Sequence, residues 1–84
     1  MLRFCFTMIL IVGIMGDEML IDLGKRIRKI RLQKQMTQVQ LAEKCGCNRN
    51  YISMLERGER NPSYKSLVMI ATGLEMELHD LLKD

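Results

Sequence analysis

Eighty-four residues with a formal charge of +3 support one small domain with a modest core. Aromatic side chains make up only 5% and Trp is absent, so Leu, Ile, Val and eight Met must fill that core. The chain has one His, no nucleophile–base set, no plausible carboxylate pair and no Gly-rich phosphate loop, which leaves almost nothing for an enzyme to work with. The charge is unevenly spread: residues 24–66 carry eleven Lys/Arg against three acids, whereas residues 1–23 are net −2 and residues 67–84 net −3. A basic middle between acidic ends suits a domain whose centre meets phosphate and whose ends meet protein. On charge alone, a solvated basic helix face explains as much.

Residues 1–18 form an apolar N-terminal extension, in which Phe4 to Met15 is a nearly unbroken apolar run of twelve residues. A membrane-spanning helix needs about 20, so no membrane anchor is expected. Arg3 and this run imitate a secretory signal, but no small-x-small cleavage site follows. Two readings stay open: translation that begins at Met15 or Met19, and a segment that buries itself in its own chain or across a dimer. Phe4, Phe6, Thr7, Ile9, Ile11 and Val12 favour extended backbone, which supports packing.

Residues 19–84 carry helical patterns. Leu20, Leu23, Ile27 and Ile30 make one apolar stripe on a helix over roughly 20–34, with Lys25, Arg26, Arg28, Lys29 and Lys34 on its other faces. Thr37 is an N-cap for a second helix, about 38–44, with Leu41 and Ala42 inward and Gly46 where a left-handed cap is expected. Asn48 caps a third helix, about 49–57, which stops at Gly58. Asn61-Pro62-Ser63 is a turn, and Ser63 caps a fourth helix over about 64–73 that buries Leu67, Ile70, Ala71 and Leu74. A fifth, about 77–82, offers Leu78, Leu81 and Leu82. The expected fold is all-α, a compact five-helix globule.

Residues 37–58 are two helices of about two turns joined by a short turn containing Gly, the helix-turn-helix unit whose second helix lies in the DNA major groove. The run from Leu23 to Leu82 resembles the lambda-repressor-like (Cro/repressor, XRE-type) DNA-binding family. It follows the pattern IRxxRxxxxxTQxxLAxxxGxxxxYISxxERGxRxPS, with Gln38, Leu41, Ala42, Gly46, Ile52, Glu56, Gly58 and Pro62 at family spacing. The stretch NRNYISMLERGERNPSYKSL looks most like the restriction–modification controller proteins. The resemblance implies a transcriptional regulator that binds an inverted-repeat operator in double-stranded DNA as a homodimer. A phage Cro-like repressor and an antitoxin-type protein-interaction module are the alternatives.

On that reading the third helix contacts bases. Arg49 suits the O6 and N7 of guanine and Asn50 suits adenine, with Ser53 one turn on and Met54 within reach of a thymine methyl. Tyr51 is open between a groove contact and a place in the core. Phosphate contacts are expected from Gln38, at a helix N-terminus that favours anions, from Arg60 and Asn61, and from Lys65 and Ser66. The resemblance also implies that Arg31 and Glu56 form a buried ion pair between the first and third helices. The dimer surface is expected at Leu78, Leu81 and Leu82. Cys45-Gly46-Cys47 imitates a metal motif, but three Cys with no nearby His fall short of a tetrahedral set. Buried free thiols that fill space are expected instead, with His79 facing solvent. No metal, cofactor or small-molecule ligand is expected. Free thiols imply a reducing compartment, and the expected location is the cytoplasm.

Overall fold

The computed structural model describes residues 17–83. Helix α1, Asp17–Gln33, starts earlier than its apolar stripe because Asp17 and Glu18 occupy the first turn, where acidic side chains favour the helix dipole. Both residues thus belong to the helical domain. The expectation that the apolar extension packs falls on residues 1–16, outside the described residues. Leu20, Leu23 and Ile27 are buried at the expected spacing, and Arg31 continues the same face.

Helix α2, Gln38–Cys45, opens with a full capping box: the Thr37 hydroxyl accepts from the Gln40 amide at 3.0 Å, and the Gln40 side chain accepts from the Thr37 amide at 2.8 Å. Helix α3, Arg49–Glu56, is capped by Asn48, whose side chain accepts from the Tyr51 amide at 2.9 Å. In α4, Tyr64–Gly73, the Ser63 hydroxyl accepts from the Ser66 amide at 3.1 Å. The short α5, Leu78–Leu82, begins after Glu77 without a side-chain cap. Helices α1 to α4 each stop in the same way. Gln35, Gly46, Gly58 and Glu75 take left-handed backbone at φ +58° to +76°. The next amide then reaches back five residues, as from Cys47 to the Ala42 carbonyl at 3.0 Å.

Helix α1 packs on α3 and α5, α2 packs on α3 and α4, and α4 packs on α5. Helix α3 is therefore held from two sides, with Ile52 and Leu55 in the core. Gly24 makes the α1–α3 approach possible: a Cβ there would lie 2.4 Å from the Leu55 carbonyl oxygen and 2.7 Å from that of Glu56. Gly58 is likewise pressed against Ile21 of α1.

Two leucines expected at a dimer surface are core residues. Leu81 is 0% exposed and Leu82 1%, both sealed in the cluster that includes Leu23, Ile27, Leu67 and Ile70. A domain this poor in aromatic side chains uses both leucines to close its end, and the Arg26 guanidinium adds a 3.4 Å bond to the Leu81 carbonyl. Leu78 alone of the three stays partly exposed. Among the described residues no helix is long and apolar enough to cross a membrane.

Substitutions at two glycines should separate close packing from backbone conformation. Gly24→Ala meets backbone atoms that cannot swing aside, so urea unfolding should show a loss of about 3 kcal/mol or more. Gly46→Ala has open space around its Cβ and should lose only the left-handed penalty, roughly 1–2 kcal/mol.

Candidate nucleic-acid interface

Helix α3 turns Ile52, Ser53 and Leu55 inward and leaves Arg49 and Asn50 exposed at its first turn. Met54, one turn on, is half-exposed and accepts a 3.6 Å bond at its sulfur from the Asn50 amide nitrogen. Asn50 is thereby steered along the helix edge by a weak contact that a base could replace. Tyr51 is half-buried against the core, and the Arg60 guanidinium lies 5.2 Å over its ring, a cation–π geometry. This contact draws the loop after α3 back to the start of the helix. Tyr51 also shares a cavity wall with Ser66, so Tyr51, Arg60 and Ser66 lie together. The Ser66 hydroxyl accepts from that of Ser63 at 3.1 Å. Asn61 and Lys65 are exposed beside them in the chain.

Ser53 does not offer its hydroxyl to a base. It is 8% exposed, and its oxygen accepts a bond from Nη1 of Arg57. The helical spacing that puts Ser53 on the same flank as Arg49 also puts Arg57 one turn further, and the longer side chain covers it. Arg57 therefore occupies that flank, half-exposed, with its Nη2 3.0 Å from Glu59. That hydrogen bond holds the Glu59 carboxyl below its usual range. Sequence reasoning passed over Arg57, although its i,i+4 relation to Ser53 was the available signal. Gln38 is also partly committed: its amide nitrogen donates to Oε1 of Glu56 at 3.0 Å, which leaves one of two hydrogens for a phosphate.

Behind the exposed edge lies a buried polar knot. Arg31 grips Glu56 with two bonds, Nε to Oε2 at 2.6 Å and Nη2 to Oε1 at 3.0 Å, and its Nη1 donates to the Met36 carbonyl at 2.9 Å. The two side chains are 8% and 4% exposed. The knot joins α1, the α1–α2 connection, the first residue of α2 and the last of α3. No buried side-chain nitrogen or oxygen among the described residues lacks a partner, the condition under which a buried charge pair is tolerable.

Cys45 is buried and Cys47 half-buried, both as free thiols. Burial, followed by the neighbouring Cys47, pushes the Cys45 thiol from 9.0 up to about 11. Burial also raises Cys47. No group of three His, Cys, Asp or Glu among the described residues is placed to hold a metal ion. His79 is exposed, 3.7 Å from Asp80.

An exposed polar helix edge, held from behind and flanked by cations, defines a helix-turn-helix DNA-binding protein. A family model described as "Helix-turn-helix" matches residues 27–81, and the chain belongs to that family, one of transcriptional regulators rather than enzymes. It is similar to restriction–modification controller proteins. Over 60 residues it is 43% identical to control protein C.BamHI of Bacillus amyloliquefaciens, an alignment spanning 70% of this chain and 74% of that protein. The controller protein C.Esp1396I, solved as a tetramer in complex with its natural 35-base-pair operator, superposes with a TM-score of 0.69 at 44% identity, covering 75% of this chain and 87% of that one. The immunity repressor of Bacillus phage phi105 is 42% identical over 55 residues, 66% of this chain, but the match spans only 38% of that repressor's length.

Two measurements probe the interior. Glu56→Ala leaves Arg31 charged and buried, and thermal unfolding should show a loss of about 3–5 kcal/mol. Cys45 keeps its proton in the folded state up to about pH 11 but loses it near pH 9.0 when unfolded. Its stabilising contribution is complete below pH 9 and fades as pH rises toward 11. A urea-midpoint series over that window should therefore fall less steeply for Cys45→Ala than for the parent.

Proposed function

We propose that this chain is a controller-type transcriptional regulator that reads an inverted-repeat operator as a homodimer. The observation that carries this reading is the exposure of Arg49 and Asn50 at the start of a helix whose opposite face is sealed. Arg49 takes guanine through O6 and N7, Asn50 takes adenine once it leaves Met54, and Met54 meets a thymine methyl. Tyr51 lines the groove wall with Arg60 stacked on it. Arg60, Asn61, Lys65, Ser66 and the remaining hydrogen of Gln38 fix the domain on the phosphate backbone without reading sequence. Arg57 joins them from its place over Ser53.

One domain reads too few base pairs for a genome, and a symmetric pair doubles the site, with half-sites about one helical turn apart. With Leu81 and Leu82 inside, the apolar side chains left exposed are Ile21, Leu32, Val39, Tyr64 and Val68, and we assign pairing to Tyr64 and Val68, one turn apart on α4, with the half-buried Leu78 on α5. Genes for a methyltransferase or an endonuclease beside this one would fit the controller assignment.

Selection of bound DNA from a random pool tests the reading and should return a two-fold symmetric site. Arg49→Ala should then relax preference at one base pair per half-site by about 1–3 kcal/mol. Arg60→Ala should weaken operator and unrelated DNA alike and lower the salt slope by about 0.9 for every phosphate that each subunit no longer neutralises. Base preference that changes with Arg60 while the salt slope stays intact would reverse these assignments.

A further inference from the structure

Cys45 and Cys47 take no part in the DNA-facing edge, yet they meet in one cavity. This recess of about 310 Å³ lies where the end of α2, the turn after it and α4 come together, and Cys45, Cys47 and Met69 all line it beside Tyr51 and Asn48. Both cysteines line the same recess, and the left-handed Gly46 lies between them in the chain. No carboxylate or imidazole stands on the wall. Zn²⁺ needs about four N, S or O ligands, which this wall does not supply. Thiolate and thioether sulfur select soft ions instead.

We propose that the cavity is a binding site for a soft monovalent cation of the Cu(I) class, held by the Cys45 and Cys47 thiolates with the Met69 thioether as third donor. On binding, the two thiols release their protons to solvent and two metal–sulfur bonds form, with no change in the oxidation state of metal or sulfur. The site passes from neutral to a net charge of −1. It adjoins the N-terminus of α3, whose dipole favours negative charge, and it stands next to Tyr51 and Ser66. If Tyr51 lines the groove and Ser66 meets phosphate as proposed above, a loaded site opposes the DNA backbone, and the regulator releases its operator when the cation is plentiful. Only this coupling rests on the operator reading; the binding site does not.

The test uses the reduced full chain carrying Cys5→Ser, titrated anaerobically without DNA against Ag(I) as a redox-inert probe and against Cu(I) buffered by a competing chelator. One equivalent should bind with release of two protons and a change in tyrosine fluorescence, since Tyr51 lines the cavity and the chain has no Trp. Met69→Leu should weaken binding by about tenfold and Cys47→Ser by at least about a hundredfold. The proposal is overturned if Cys47→Ser binds Ag(I) as tightly as its parent. It is equally overturned if the parent binds no more tightly than a Cys45→Ala/Cys47→Ala chain, in which only scattered methionines remain. A DNA titration with the loaded chain then decides the coupling: weaker operator binding supports it and unchanged binding removes it. A metal-free chain that binds no DNA would count against the operator reading alone.

Discussion

The two-pronged grip of Arg31 on Glu56 is the constraint around which the other parts are arranged. Glu56 is the last residue of α3, so its carboxylate sets where that helix ends and how it is turned against α1. Arg31 spends its third donor on the Met36 carbonyl, which shapes the connection into α2, and Gln38 completes the carboxylate from the start of α2. In the low-dielectric interior such a pair gains little net free energy over an apolar substitute. Its contribution is orientational. Two charges that must find each other admit one rotation of α3, and that rotation leaves Arg49 and Asn50 outside.

Close packing completes what the ion pair begins. Gly24 lets α1 approach the α3 backbone to a distance no side chain would allow, and Gly58 does the same where the chain leaves α3. Arg60 then folds back over Tyr51, so a residue outside the helix is registered against its first turn. The edge proposed to meet DNA thus joins α3 to its exit loop as one unit. Preorganisation of this kind limits the entropy lost when the protein settles into a groove.

Much of this could be read in the amino-acid sequence, because the signals involved are local. Thr37, Asn48 and Ser63 act within three residues of themselves, and the helices they open lie where the caps put them. The Gly46 and Gly58 stops are legible for the same reason, while Gln35 and Glu75 take the same left-handed backbone without a residue type that announces it. The Arg31–Glu56 pair, 25 residues apart, is invisible to spacing and came from the family pattern. The misplacements have physical causes too. A five-residue helix makes too little of a turn for periodicity to assign its faces, so Leu81 and Leu82 passed for surface. Ser53 was on the expected flank, but a longer neighbour covered it. The role of Gly24 has no local signal at all, because it depends on the backbone of α3 resting against it.

The central claim is that Arg49 reads a guanine from this fixed edge, and methylation interference at guanine N7 tests it most directly. With the selected operator, methylation of one guanine in each half-site should block binding by the parent chain and have no effect on Arg49→Ala, because the group it obstructs is gone. An identical interference pattern for the two proteins would contradict the account.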